Sequence, residues 1–339
     1  MLILSNCLTE VADEGSLKVA TNIVNRIKRK DKSSFVISYG RRFAQTDIFL
    51  PINKLLLNRK LISIIKSKKQ PVLYIPFPAP SLTTALRIRI LSLFARCGLK
   101  VMLVQQRSMS RISRMILRSS KAEVIAISKQ AYDFYHAIVG DKATYLKTGV
   151  DTERFVPVSS EKVKELKVKY GFDPERPLVL HVGHLKYGRN VGELMKIDKR
   201  YQVLLVTSTL FKDEQDEDLK VQLLNHSNIK IFDEYASNIE EIYQMSDVYF
   251  FPVQELGNCI DVPLSCLEAA SCNKPIITTD YGEMKSFVGK HGFYFLDSMD
   301  SDHLNNIIQQ ALAENNCYSR SAVLEYDWNN AVNNSLDMH

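Results

Sequence analysis

Two short stretches in the second half of the chain carry residues whose types and spacing could do chemistry. The first is Val182-Gly183-His184-Leu185-Lys186-Tyr187-Gly188-Arg189-Asn190, directly after an apolar run. Its glycines admit close backbone approach, and His184, Lys186 and Arg189 supply positive charge. A diphosphate needs that combination of donors, cations and little bulk. The spacing is neither GxxxxGK[ST] nor GxGxxG. The second stretch runs Cys259-Ile260-Asp261-Val262-Pro263-Leu264-Ser265-Cys266-Leu267-Glu268-Ala269-Ala270. Pro263 suits the first turn of a helix, which leaves the amides of Leu264 and Ser265 free to meet an anion. Glu268 falls one turn inside that helix among small and apolar neighbours, and a carboxylate there needs partners. A sugar diol is one such partner and a structural salt bridge another; the residues alone favour the salt bridge.

The elements that must position these stretches are short apolar strands alternating with amphipathic helices. At 339 residues the chain predicts two domains. Strands are expected at Met1–Ser5, Ser34–Ser38, Pro71–Pro76, Lys100–Val104, Glu123–Ile127 and Ala143–Leu146. In the second half they are expected at Leu178–Val182, Tyr201–Thr207, Ile229–Phe232, Val248–Phe251, Pro275–Thr279 and Gly292–Phe295. Helices are read at Ser16–Lys30, Asn53–Lys68, Thr83–Cys97 (closed by Gly98), Ser110–Ser119 and Lys129–Ile138, with others between the later strands. In Asn53–Lys68 the apolar stripe is Leu57, Leu61, Ile64 and Ile65. Such alternation implies parallel sheets with crossover helices on both faces, and ligands outside the carboxyl ends of the strands. Trp328, the only tryptophan, reads as a packing anchor.

Charge divides the chain. Residues 1–150 hold 26 Lys/Arg against 8 Asp/Glu, a balance of +18; residues 151–339 hold 18 against 30, a balance of −12. The first half is therefore expected to face something anionic. In Ser110–Ser119, Arg111, Arg114 and Arg118 share one face and Ile112, Met115 and Ile116 another. Such a helix either lies on anionic lipid or packs into a core with its basic face in solvent; the balance of the whole half favours lipid or a lipid diphosphate. No RNA- or DNA-binding signature accompanies the basic runs, so nucleic acid is not an expected partner.

The acidic run Asp213-Glu214-Gln215-Asp216-Glu217-Asp218 reads as helix capping and a solvated turn rather than a metal site, and no His/Cys set has ligand spacing. The six cysteines are scattered without a CxxC pair and are expected to be reduced thiols. No run of eighteen apolar residues occurs, and Met1-Leu2-Ile3-Leu4 lacks the basic start and length of a signal peptide. The expected location is the cytoplasm, peripheral on the inner face of the cell membrane.

The chain resembles glycosyltransferase family 4. The residues that carry the likeness are Lys147–Pro157, the Gly183–Asn190 loop, Ile239–Val253 with Tyr243-x-x-Ser246-Asp247 and Pro252, and Pro263–Gly282; the likeness is specific over 147–296 and looser before it. It implies an α/β chain of GT-B fold, with two doubly wound Rossmann-like domains facing each other across a cleft. The implied limits are 1–153 for a basic acceptor-binding domain, 154–325 for a donor-binding domain, and 326–339 for a segment crossing back to the first. The implied activity is retaining transfer of a hexose-type sugar from a nucleotide-diphosphate sugar, linked to UDP or GDP, to a glycan or lipid-linked acceptor. No metal or other cofactor is implied. Glu268 matches the glutamate that grips the donor ribose, and Arg189 stands where a diphosphate-binding lysine is usual, with Lys186 beside it. His184 stands where arginine is usual. Val262, Pro263 and the amides of Leu264 and Ser265 match the turn that cradles phosphate and sugar. Gly15 matches a glycine loop of the first domain, and backbone near Glu234 and Tyr235 is where the base is read. Ile260 occupies the position of a first glutamate, so Asp261, or the more distant Glu255, is the substitute. Gln105 or Gln106, beside Arg107, stands where a histidine is usual, and His136 reads as a surface residue. Ile260 and His184 also admit a different reading, a GT-B protein that binds nucleotide-sugar or glycan without transfer.

Overall fold

The computed structural model describes residues 1–8, 14–39, 42–51, 53–76, 81–104, 108–207, 215–255, 257–314 and 317–334. Gln105, Gln106, Arg107, Asp213 and Glu214 lie outside the described residues. The chain divides into two compact units, Met1–Thr148 together with the segment from Trp328 onward, and Gly149–Asp327.

The first unit is built on strands β1 (Leu2–Ser5), β2 (Phe35–Ser38), β3 (Ile48–Phe49), β4 (Val72–Ile75), β5 (Leu99–Leu103), β6 (Glu123–Ala126) and β7 (Ala143–Tyr145). They form one parallel sheet in the order β3-β2-β1-β4-β5-β6-β7. Ile3, Leu73, Met102 and Ile125 fill one face, and Leu4, Tyr74, Val101 and Val124 the other. A sheet covered on both sides reads as continuous apolar runs, which is why these strands are legible in the sequence. The crossovers are α1 (Gly15–Lys30), α2 (Arg59–Lys68), α3 (Leu82–Phe94), α4 (Arg111–Ser119) and α5 (Lys129–Val139). Side-chain oxygens of Glu14, Asn58, Ser81, Ser110 and Ser128 accept amide hydrogens at their starts.

Two helices differ from expectation. α2 begins at Arg59, not Asn53, because Asn53 closes a turn by accepting the amides of Leu55 and Leu57, and Leu56 turns left-handed there at φ 61°. Leu57 is consequently exposed while Leu61 and Ile65 are buried. α3 stops at Phe94, three residues early, and Gly98 turns at φ 109°.

The second unit contains α6 (Ser160–Lys169), β8 (Leu178–Val182), β9 (Gln202–Val206), α7 (Glu217–Leu224), β10 (Ile229–Phe232), α8 (Ile239–Met245), β11 (Val248–Phe251), α9 (Leu264–Ser271), β12 (Ile276–Thr278), β13 (Phe293–Phe295), α10 (Ser301–Ala313) and α11 (Ser319–Val323). Its parallel sheet runs β10-β9-β8-β11-β12-β13. Strand order reverses between β8 and β11, which are hydrogen-bonded neighbours. The connection from β8 to β9 is not the expected α-helix but two 3₁₀ turns, Tyr187–Arg189 and Val191–Lys196. Past Asp327 the chain forms α12 (Trp328–Asn334), which packs on α1 in the first unit, with Trp328 buried.

Candidate functional site

The reversal point of the second sheet places the ends of β8 and β11 side by side, the position where doubly wound sheets bind ligands. The loop leaving β8 is braced along its length. The Gly183 amide donates to the Val206 carbonyl at 3.0 Å and the Tyr187 amide to Asp216 Oδ2 at 2.6 Å. Asp216 stands at the start of α7 but does not cap it with its side chain, contrary to the capping expected of the acidic run; its carboxylate holds the 183–190 loop instead. Asn190, left-handed at φ 55°, donates from Nδ2 to the Pro252 carbonyl and to Gln254 Oε1, both at 3.1 Å. That pair of bonds ties the β8 loop to the β11 loop. His184, Lys186 and Arg189 are half-buried on it. Arg189 forms no ion pair among the described residues, so its charge is available to an anion.

Beneath Arg189 lies His181, the last residue but one of β8 and fully buried. Its Nδ1 is 2.8 Å from the Phe250 carbonyl, and its ring stacks on Tyr249 at 6.4 Å and 17°. Burial, helped by the charge of Arg189, pushes its pKa down to about 4, so the ring is neutral at pH 7. A neutral ring that donates from Nδ1 to a carbonyl keeps a lone pair on Nε2, and Nε2 has no hydrogen-bond partner. A Cβ on residue 183 would stand 2.9 Å from that Nε2 and 3.0 Å from Arg189 Nη1. Gly183 is thus required by the protein's own side chains.

The β11 loop leads into α9. Pro263 is the residue before the first helical turn, one place earlier than expected, and its carbonyl accepts the amides of Cys266 and Leu267 at 3.1 and 3.4 Å. The amides of Leu264 and Ser265 precede the first intrahelical bond and face outward from the helix start. Tyr249 joins the two loops from below. Its hydroxyl donates to the Val182 carbonyl at 3.2 Å and interacts with the Ser265 side chain, and burial raises its pKa well above the ordinary value. Glu268 is 2% exposed. The Tyr243 phenol lies beside it and is pushed far up by burial first and by the Glu268 charge second.

The structure therefore gathers Gly183, His184, Lys186 and Arg189 on one loop and Asp261, Val262, Pro263, Leu264, Ser265 and Glu268 on the next. Glu234 and Tyr235 follow β10, two strands away, and Tyr235 is exposed. Gly15 is not in a loop: it opens α1, and Glu14 accepts the Leu17 amide across it at 2.8 Å. Arg111, Arg114 and Arg118 are exposed on α4, as expected, but so are Ile112 (62%) and Met115 (71%), while Ser113 and Leu117 turn inward. The helix is not a core-packed element with a purely basic outer face. His136 lies at the surface, 3.8 Å from Asp141. Sequence reading missed His181, Tyr249 and Tyr281; a histidine inside the apolar run Leu178–Val182 was the one available signal. Among the described residues no group of His, Cys, Asp and Glu is arranged to hold a metal, and all six cysteines are free thiols. No helix among them is long and apolar enough to cross a membrane.

One reversal point thus brings together Arg189, which has no ion pair among the described residues, two outward amides and the buried carboxylate of Glu268. Residues 162–325, most of the second unit, match the family model described as glycosyl transferases group 1. The alpha-galactosylglucosyldiacylglycerol synthase of Streptococcus pneumoniae (strain ATCC BAA-255 / R6) is 24% identical over 148 residues, a stretch that covers 41% of this chain and 38% of that protein. A glycosyltransferase from Rickettsia africae ESF-5 superposes with a TM-score of 0.78 at 16% identity, over 99% of this chain and 96% of that one. Anabaena Alr3699/HepE in complex with UDP gives 0.76 at 15%, over 96% and 95%. Residues 162–325 thus carry a match to group 1 glycosyl transferases, and the chain has the two parallel-sheet α/β domains of the GT-B fold.

Proposed function

We propose that this protein is a retaining glycosyltransferase of family 4 that moves a hexose-type sugar from a UDP- or GDP-linked donor to a glycan or lipid-linked acceptor. The observation that carries the reading is Arg189, an uncompensated cation braced at the reversal point of the second sheet beside the start of α9. In this reading Arg189, Lys186 and the amides of Leu264 and Ser265 receive the diphosphate, Glu268 accepts the ribose hydroxyls, and backbone at Glu234 and Tyr235 meets the base. Asp261 and Val262 border the sugar. Departure of the diphosphate builds negative charge on its bridging oxygen, which Arg189 and the helix start stabilise without a metal. The same oxygen takes the proton of the incoming hydroxyl on the face it has just left, which retains configuration. Solved complexes of the Anabaena protein with UDP, with UDP and glucose, and with UDP-glucose support a nucleotide-sugar donor.

The acceptor side rests on the charge balance of the first half and on α4, where exposed Ile112 and Met115 stand among Arg111, Arg114 and Arg118. An apolar ridge set in cations suits the surface of an anionic membrane, approached from the cytoplasm. The name of the streptococcal relative, a diacylglycerol glycolipid synthase, points the same way. A second reading, binding without transfer, is motivated by buried Ile260 at the position of a donor-binding glutamate.

A thermal-shift screen against UDP, GDP, ADP and CMP tests the donor site. One nucleoside diphosphate should stabilise the protein by several degrees, and Glu268→Ala should abolish the shift. A flat response to all four at millimolar concentration would refute the donor site; a shift without sugar transfer would select the second reading.

A further inference from the structure

The segment that replaces the missing glutamate is held in a way that the sequence resemblance does not foretell. Ile260 is buried, and the residues on either side of it are pinned by the turn after β12. The Tyr281 hydroxyl donates to the Cys259 carbonyl at 2.6 Å and accepts the Cys259 amide at 3.2 Å, so one phenol satisfies both main-chain groups of one residue. Its ring packs edge-on against Phe251, the last residue of β11, at 5.9 Å and 67°, and is 2% exposed. Two residues on, the Asp261 carbonyl accepts the Glu283 amide at 2.8 Å. It can do so because residue 282 is glycine at φ +51°; a Cβ there would collide with that carbonyl oxygen. Glu283 is itself buried and accepts the Tyr326 hydroxyl at 2.8 Å and the Ser286 hydroxyl at 3.0 Å.

The loop is thus fixed at 259 and at 261, with the apolar residue between them turned into the core. Rotation of either peptide to exchange Ile260 for a polar neighbour would break at least one pin. We propose that Tyr281 is a positioning residue that sets the sugar end of the donor site, holding Asp261 as the carboxylate that meets the hydroxyls of the transferred sugar in place of the absent glutamate. The inference rests on the donor site proposed above. It separates that site into a nucleotide end, governed by Arg189 and Glu268, and a sugar end, governed by Tyr281 and Asp261.

Tyr281→Phe keeps the ring on Phe251 and deletes both bonds to Cys259. Affinities for UDP and GDP are compared with those for UDP-glucose and GDP-mannose by calorimetry, in wild type, Tyr281→Phe, Asp261→Asn and the double variant. Tyr281→Phe should weaken the matching nucleotide-sugar about tenfold, the scale of one lost hydrogen bond to a charged group, and leave the free nucleoside diphosphate within about twofold. Asp261→Asn should do the same, and the double variant should add little, since one residue acts through the other. Equal weakening of nucleotide and nucleotide-sugar would make Tyr281 merely structural and overturn the inference, as would full additivity in the double variant. Should Tyr281→Phe fail to fold, Asp261→Asn alone decides: unchanged nucleotide-sugar affinity overturns the inference. Wild-type protein that binds no nucleoside diphosphate would instead overturn the donor-site reading itself.

Discussion

The two units share one wiring scheme but differ at the corresponding place. In both, the strand order reverses between the first strand and the fourth, at β1/β4 and at β8/β11. At the first reversal described polar groups satisfy one another except the Ser38 hydroxyl, which lies opposite Ser5 without a partner. Ser5 Oγ donates to the Ile75 carbonyl at 3.0 Å, Tyr39 and Tyr74 pair hydroxyl to hydroxyl at 3.1 Å, and burial pushes the Cys7 thiol up to about 12. At the second, Arg189 has no ion pair among the described residues and His181 Nε2 has no partner. Topology supplies such a place in both units; a cation left without an ion pair distinguishes the second.

Acid should break the comparison most strongly, because the second reversal rests on a buried imidazole and the first on phenols and a thiol. Ordinary histidine titrates near 6.5, and His181 is held down to about 4. The unfolded chain therefore takes up a proton that the folded chain refuses. Stability at pH 7 should be unaffected, then fall by about 3 kcal/mol as pH drops from about 6.5 to about 4. Calorimetric melts across that range follow it, and His181→Gln should flatten the acid limb; an unchanged limb would remove His181 from the account. Next in size is Arg189→Ala, expected to lower kcat about 100-fold with a smaller change in acceptor KM. Near-wild-type turnover would take Arg189 out of the mechanism. The smallest effect belongs to the first unit. Arg111→Glu with Arg118→Glu should weaken binding to vesicles containing an anionic lipid about tenfold at low salt, and leave nucleoside diphosphate affinity unchanged. Binding that survives both the substitutions and high salt would detach α4 from the membrane.

What the sequence disclosed and what it withheld follow from the range of the forces involved. Every strand of four residues or more was visible, since a sheet buried on both faces writes itself as an unbroken apolar run such as Val248–Phe251. The two-residue β3 was not, because nothing so short has a pattern. Helix starts were visible where a serine caps locally, as at Ser110 and Ser128, and misplaced where a local turn at Asn53 outcompeted the helical stripe. The Gly183–Arg189 and Pro263–Glu268 stretches could be singled out because glycine, proline and charge act at short range. Tyr281 could not: its partner is 22 residues away and is backbone, which leaves no residue-type trace. Ile112 and Met115 read equally well as core or as surface, and only tertiary packing distinguishes the two.

The ends of the second unit meet. Val150 and Asp327 form a parallel bridge, the Asp327 carboxylate accepts both the amide and the hydroxyl of Thr152 at 2.9 and 2.8 Å, and Arg320 donates to the carbonyls of Thr152, Phe155 and Ser271. In chain order this unit is therefore a guest, spliced between Thr148 and Trp328 of a host whose helix α12 is made only after the guest is complete. During synthesis the guest can close while the host still waits for α12, and a guest with neighbouring termini is a part that can be cut out and moved between chains without retying its ends.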